Sequence, residues 1–242
     1  MKRIFISLLL LASITTLGCA EATKCPQNFP NGQSPDIKIK HQELCFEQFV
    51  VSYNVDYKNP LFAAEMLNKD TIKMADAVKR KDAFHQEKRI PLENQVSLSA
   101  FPGTKFDRGH VIPAADMSTI NAQYESFSMV NMTPQDSNNN RDLWKKLEAY
   151  TRDLAKKYDT VYMISGPIFT ANPNKMKDGT SIPDGYFKIV YVKQLNKVSS
   201  FYCKNLPKQK YELKSIKEIE ALTGYKFVQF NEEIKNKSEL IK

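Results

Sequence analysis

The residues able to do chemistry concentrate between positions 107 and 148. Asp107-Arg108-Gly109-His110 comes first, then Pro113-Ala114-Ala115-Asp116, then Asn131-Met132-Thr133-Pro134-Gln135, and finally Asn140-Arg141 with Trp144 and Leu147-Glu148. An imidazole, an arginine, carboxamides and a carboxylate in one segment are the groups a phosphodiester cleavage needs. They supply a base to activate water, a cation for the developing charge, and oxygen ligands for a hard metal. His41, His85 and His110 are the whole imidazole supply, so any histidine chemistry rests on one of three side chains. A lone histidine is usually structural, and His41 and His85 read that way.

Composition bounds the rest. A chain of 242 residues can bury a full core, which excludes a peptide module or a disordered tail. Lys and Arg number 35 against 27 Asp and Glu, and the formal charge of +8 should attract an anionic partner such as nucleic acid, acidic lipid or acidic protein. Neither GxGxxG nor GxxxxGK[ST] occurs, so a Gly-rich nucleotide cradle is not expected.

Residues 1–22 read as a secretory signal: Lys2 and Arg3 precede the apolar run from Ile4 to Ile14, and Ala20-Glu21-Ala22 has the small-x-small pattern of a cleavage site. A lipid anchor on Cys19 is the less favoured alternative, because Thr16 stands where lipoprotein signals usually carry Leu. Cleavage after Ala22 removes Lys2, Arg3 and Glu21, so the positive charge falls by only one unit. The expected location is therefore outside the cytoplasm, periplasmic or secreted. In an oxidising compartment Cys25 and Cys45, which flank a Pro/Asn/Gly stretch, are expected to form a disulfide, with Cys203 left as a buried thiol.

The elements that must position the chemistry are partly legible. Residues 46–56 are rich in aromatic and β-branched types and read as a strand. Residues 61–67 and 70–79 read as helical or mixed, and residues 80–91 as a charged loop. Leu143, Leu147, Tyr150, Leu154 and Tyr158 recur at spacings of three and four, which predicts an amphipathic helix over 140–158. Strands are expected at 160–165, ahead of a Gly166-Pro167 turn, and at 186–193; a short helix over 215–222 should close at Gly224. No repeat or domain boundary is visible, so residues 23–242 read as one α+β domain with a mixed or antiparallel sheet.

The ordered series DRGH, NxTPQ, N-R and W-x-x-L-E closely resembles the DNA/RNA non-specific endonuclease family, which has a ββα-metal (His-Me finger) core. The likeness extends outward to Arg80-x-x-x-Phe84 and to Ser165-Gly166-Pro167-Ile168-Phe169. It implies that His110 is the general base toward the attacking water and that Asn140 is the one direct protein ligand of a Mg²⁺ ion, with Mn²⁺ or another divalent cation able to substitute. It further implies that Glu148 holds a metal-bound water, that Arg108 and Arg80 steady the phosphate, and that Asn131 is a supporting carboxamide near the histidine. The implied activity is sugar-non-specific hydrolysis leaving 5′-phosphate ends. The implied partners are DNA and RNA backbones engaged without regard to sequence, with a homodimer open and no stable membrane span. The Lys-rich stretch from Lys204 to Lys217 is expected to hold backbone phosphates.

Helix geometry checks two of these roles independently. Asn140 and Glu148 are eight residues apart, about 12 Å of helix rise, too far for both to ligate one ion directly. One direct ligand and one carboxylate acting through a coordinated water is the arrangement the spacing permits. Trp144, one turn from each, reads as packing. Asp107 reads as a structural carboxylate pairing with a nearby cation, and Asp116 as either metal support or a turn with a helix cap. Asn138 and Asn139 lack the family spacing, and Arg80 lies in the charge run Lys79-Arg80-Lys81, where solvation is the default. Two readings from other classes stand beside the nuclease: a catalytically inactive nucleic-acid-binding or uptake protein of the cell envelope, and a basic structural protein of anionic envelope surfaces.

Overall fold

A computed structural model describes residues 22–242. The expected signal segment up to position 21, Cys19 included, lies outside the described residues. Among the described residues there are nine strands: β1 (Gln42–Cys45), β2 (Phe49–Asn54), β3 (Asn59–Leu67), β4 (Phe106–His110), β5 (Met132–Asp136), β6 (Val161–Ile168), β7 (Gly185–Val192), β8 (Lys197–Lys204) and β9 (Glu212–Leu213). Seven make one antiparallel sheet in the order β1-β2-β3-β6-β7-β8-β9, and β4 with β5 forms a separate antiparallel ribbon. The helices are α1 (Lys69–Ala75), α2 (Ile120–Ser126), α3 (Ser137–Asn139), α4 (Lys145–Lys157), α5 (Ile216–Thr223) and α6 (Glu232–Lys235). The α+β class with an antiparallel sheet is as expected.

Both faces of the large sheet are covered, and side chains alternate between them with the strand period of two. On β7, Tyr186, Val190 and Val192 join the cluster under α4 with Val51, Ala63 and Met163, while Phe187 and Ile189 turn to the other face. There they meet Phe29, Phe62 and Phe227, together with Ile216 and Ile219 of α5. Helix α5 has a complete capping box between Ser215 and Glu218 and ends at Gly224 with φ 75°, as its sequence requires.

Residues 61–67 are a central strand, not a helix. Leu, Ala, Met and Glu favour helix, yet with both sheet faces buried the run needs no polar alternation, and pairing to β2 and β6 overrides local preference. Residues 70–79, expected to be helical or mixed, carry a helix that ends at Ala75. The Gly166-Pro167 turn is also absent, since β6 continues to Ile168. Pro167 is tolerated because the pairing of β6 with β3 ends at Ser165, and Gly166 is required because a Cβ there would run into the Leu61 carbonyl oxygen.

Cys25 and Cys45 are joined, with Cα atoms 6.0 Å apart. Cys203 is buried on β8, and burial pushes its thiol up to about 11, leaving it unreactive. Among the described residues no helix is long and apolar enough to cross a membrane.

Candidate active site

The ribbon β4–β5 sets Arg108 opposite Pro134 and His110 opposite Met132. Arg108 and His110, two apart on one strand, emerge on the same side. Gly109 between them admits no larger residue, because a Cβ would lie 2.6 Å from that of Gln135. The chain then passes Asn131, which is fully buried. Its side chain accepts from the Ile112 N–H (3.0 Å) and donates to the carbonyls of Ile112 and Ser126 (both 2.9 Å). All three of these side-chain bonds go to main chain, and they hold the turn that follows His110.

After β5 the chain enters α3 under an Asp136 cap and then makes a π-helical turn over Asn140–Trp144 before α4. The expected helix over 140–158 is thus two pieces. A π turn is wider than an α turn and re-aims the side chains it carries, which is why such turns recur at functional sites. Asp107 ties this turn to the ribbon: it accepts from Arg141 Nη2 (2.7 Å) and Nε (2.8 Å), from Asn140 Nδ2 (3.0 Å) and from Ser137 (3.0 Å). Burial alone would raise the Asp107 carboxyl, but these donors outweigh it and hold the group below its ordinary value. Its structural reading stands.

One cleft of about 600 Å³ is lined by Arg80, Arg108, His110, Asn140 and Glu148 together with Arg141, Lys145 and Arg152. The structure therefore brings together five of the six residues singled out from sequence, and Asn131 is the one that does not reach the cleft. Arg80 bonds Asp82 at 2.7 Å and lies over the Phe127 ring at 5.2 Å, so it is oriented as well as solvated. Arg108 is sandwiched by Phe84 (4.8 Å) and Phe101 (5.5 Å) and donates to the Leu98 carbonyl.

His110 packs edge-on against Phe127 at 4.9 Å and beside Phe84 at 6.0 Å. Burial, with the Arg80 charge adding to it and Asp82 opposing, brings its imidazole down to about 3, so the ring is neutral at physiological pH. Nε2 is buried without a partner among the described residues, which leaves Nδ1 as the nitrogen open to the cleft. Glu148 is pushed up to about 7 by burial; Asp116 adds to this, while Lys188, Arg152 and Arg80 oppose it.

Behind the cleft lies a charged layer that the sequence did not reveal. Glu65 on β3 and Lys188 on β7 are fully buried on the sheet face beneath α4. Burial and the nearby Asp116 carboxylate hold Glu65 well above the ordinary carboxyl range, and burial lowers Lys188. Asp116, in a 3-10 turn, pairs with Arg152 at 2.8 Å, so it braces α4 and caps no helix. The signal for Arg152 was its position four residues after Glu148, one helical turn away. Trp144 is buried with the Lys188 ammonium 4.9 Å from its ring, as packing requires. Of the lysine stretch, Lys214 and Lys217 are engaged with Glu212, Glu218 and Glu232, whereas Lys208 lies beside Asn138 at the entry to α3.

The donor set suits a hard divalent cation. Asn140 is held through its nitrogen by Asp107, so its carbonyl oxygen has no protein partner among the described residues. A carboxyl raised by burial, as in Glu148, also gains from a positive charge placed nearby. The cluster of Cys25, Glu43 and Cys45 is a disulfide with a neighbouring carboxylate, and no metal centre.

A two-stranded ribbon presenting histidine, followed by a helix that opens with an oxygen donor, is the ββα-metal arrangement of nucleic-acid hydrolases. The chain belongs to the DNA/RNA non-specific endonuclease family, whose model matches residues 32–232. It is 30% identical to Nuclease C1 of Cunninghamella echinulata var. echinulata over 74% of this chain and 75% of that protein. A nuclease of Nostoc sp. is 29% identical over 82% and 78%, and human mitochondrial endonuclease G is 27% identical over 60% and 52%. The fold also matches a chain in the crystal structure of the EndoG/EndoGI complex with a TM-score of 0.68 at 20% identity, covering 81% of this chain and 89% of that one. The protein is accordingly a nucleic-acid hydrolase.

Proposed function

We propose that the protein is an exported, Mg²⁺-dependent endonuclease that hydrolyses both DNA and RNA and leaves 5′-phosphate ends. The observation that carries this reading is one cleft lined by a neutral His110, open at Nδ1, by Arg108 and by an Asn140 carbonyl that has no protein partner among the described residues.

His110 accepts the proton of the attacking water at Nδ1, a role that requires the neutral ring. Arg80 and Arg108, each fixed over aromatic rings, meet the non-bridging oxygens and offset the charge that develops on them. Asn140 and, through water, Glu148 would hold the divalent cation, which when bound supplies a Lewis acid for the phosphate and leaving group. Asn131 is a positioning residue that fixes the turn after His110. Lys145 and Arg141 at the cleft, with Lys208 beside Asn138, extend the positive field toward flanking phosphates, so binding is independent of base sequence and sensitive to salt.

Cleavage of plasmid, single-stranded DNA and RNA by purified protein with Mg²⁺, with EDTA, and with His110→Ala tests the reading. Metal-dependent cleavage lost in the variant is expected. Binding without cleavage in the wild type would convert the protein to an inactive nucleic-acid-binding or uptake protein, and EDTA-resistant cleavage would remove the metal from the mechanism. Export is tested by N-terminal sequencing of the mature chain, with Thr23 as the expected first residue.

A further inference from the structure

Beside the catalytic cleft runs a second, larger groove of about 1340 Å³ that the reaction does not use. It lies between the end of α1, the segment from Lys79 to Ala83, and the start of α2. Its walls expose Met74 (50%), Ile120 (82%) and Tyr124 (49%), three large apolar side chains gathered in one groove, and Ile120 is the most exposed large apolar side chain among the described residues. A contiguous apolar surface of this kind marks a binding face.

Three observations say what fits there. Arg80 lines both the groove and the catalytic cleft, so the two are continuous. Lys79 and Lys81 are exposed on either side of it and make no ion pair among the described residues, which puts unpaired positive charge along an apolar floor. Tyr124 stacks flat on His85, with centroids 4.1 Å apart and planes 2° from parallel, while half of the tyrosine stays open. The platform is rigid: His85 Nδ1 is bonded to the Ala83 carbonyl, its main chain pairs with Phe127 and Met129, and Gln123 accepts from the Lys81 N–H at 2.8 Å.

A fixed aromatic face flanked by cations matches a polyanion whose repeat carries flat, apolar rings. In a duplex those rings are stacked inward and cannot reach the floor; in a single strand they can. We infer that this groove is a subsite for the unpaired bases of a single-stranded nucleic acid, seating the strand beside the bond being cut. The inference rests on the nuclease reading of the cleft and adds to it a preference for single-stranded or locally opened substrate.

The test is an Ile120→Ser/Tyr124→Ala double variant, with Met74→Ser as a second, independent variant; all three residues are exposed, so the fold should be kept. Cleavage kinetics are compared on a single strand, on the same sequence as duplex, and on single strands with an abasic site walked outward from the cut. KM for the single strand should rise about tenfold with kcat unchanged, while duplex kinetics stay as in the wild type. In the wild type, abasic sites in one window on one side of the cut should raise KM, and in the double variant they should not. An equal rise for duplex and single strand, or no rise for either, overturns the inference. So does a change from dimer to monomer in sedimentation velocity, which would give the groove to a second copy of the chain. Fluorescence anisotropy with labelled oligothymidine separates the two levels of the argument. A protein that cleaves nothing, yet binds the single strand more weakly in the variants, defeats the nuclease reading and keeps the groove.

Discussion

The two faces of the large sheet are built on opposite principles. Phe187 and Lys188 are neighbours on β7, and each is fully buried, but they serve different faces. Phe187 enters an apolar layer with Phe62, Phe227 and Ile219, next to the Cys25–Cys45 link and a fully capped α5. Lys188 enters a layer shared with Glu65, Asp116, Arg152 and Glu148, in which both Glu65 oxygens and one Asp116 oxygen lack hydrogen-bond partners among the described residues. Unpaired buried polar groups cost stability. The apolar face carries the disulfide and the capped α5, so the charged face is built on a sheet whose other side does no chemistry.

The largest test of this contrast removes the proposed base. His110→Ala should lower cleavage by about 10²–10⁴-fold while leaving the thermal midpoint and oligonucleotide binding near wild type. The same residue makes a pH prediction. Its folded value of about 3 lies below the ordinary 6.5, so the folded protein binds fewer protons than the unfolded chain between those limits. Its contribution is present above pH 6.5 and is lost as pH falls toward 3. Urea titrations should show a flatter dependence over that window for His110→Asn, and the acid limb of wild-type kcat/KM should have no inflection at 6.5.

The adjacent pair on β7 gives the sharpest comparison. Phe187→Ala should destabilise by about 3–5 kcal/mol with kcat of the folded fraction unchanged. Lys188→Met should cost a similar amount, about 3–5 kcal/mol, because the buried carboxyls lose their cation, and it should also lower kcat through Glu148. Equal kinetic behaviour in the two variants would mean that the charged layer does not support the site. Opening the Cys25–Cys45 link with Cys45→Ser should cost about 2–4 kcal/mol, read by chemical denaturation with unchanged turnover. Ser215→Ala, which removes one cap on α5, is the smallest change, at about 1 kcal/mol.

The legibility of the molecule in its sequence follows the same division. The short-range features could be read: the strand at β2, the strands at β6 and β7 to within a few residues, the span and glycine stop of α5, and the paired cysteines. Residues 61–67 look helical or mixed in sequence because helix-forming side chains sit in a strand buried on both faces, where alternation disappears. The ribbon β4–β5 gave no strand pattern, since Arg108, Gly109 and Pro134 follow the needs of the site. The roles of Phe84 and Phe127 around His110, and the pairing of Asp116 with Arg152 across 36 positions, join residues that no local pattern connects.

By itself the sequence determined which chemical groups this protein has and their order, because DRGH, Asn140 and Glu148 stand at spacings that a single ribbon and helix can serve. It also determined the positive field, which depends on composition alone. Only the tertiary structure decided the state of those groups. His110 is neutral because Phe84, Phe127 and Arg80 surround it, and Asn140 presents its oxygen because Asp107 holds its nitrogen. Protonation and orientation depend on neighbours brought from distant parts of the chain, and those neighbours exist only once the sheet, ribbon and helix have packed together.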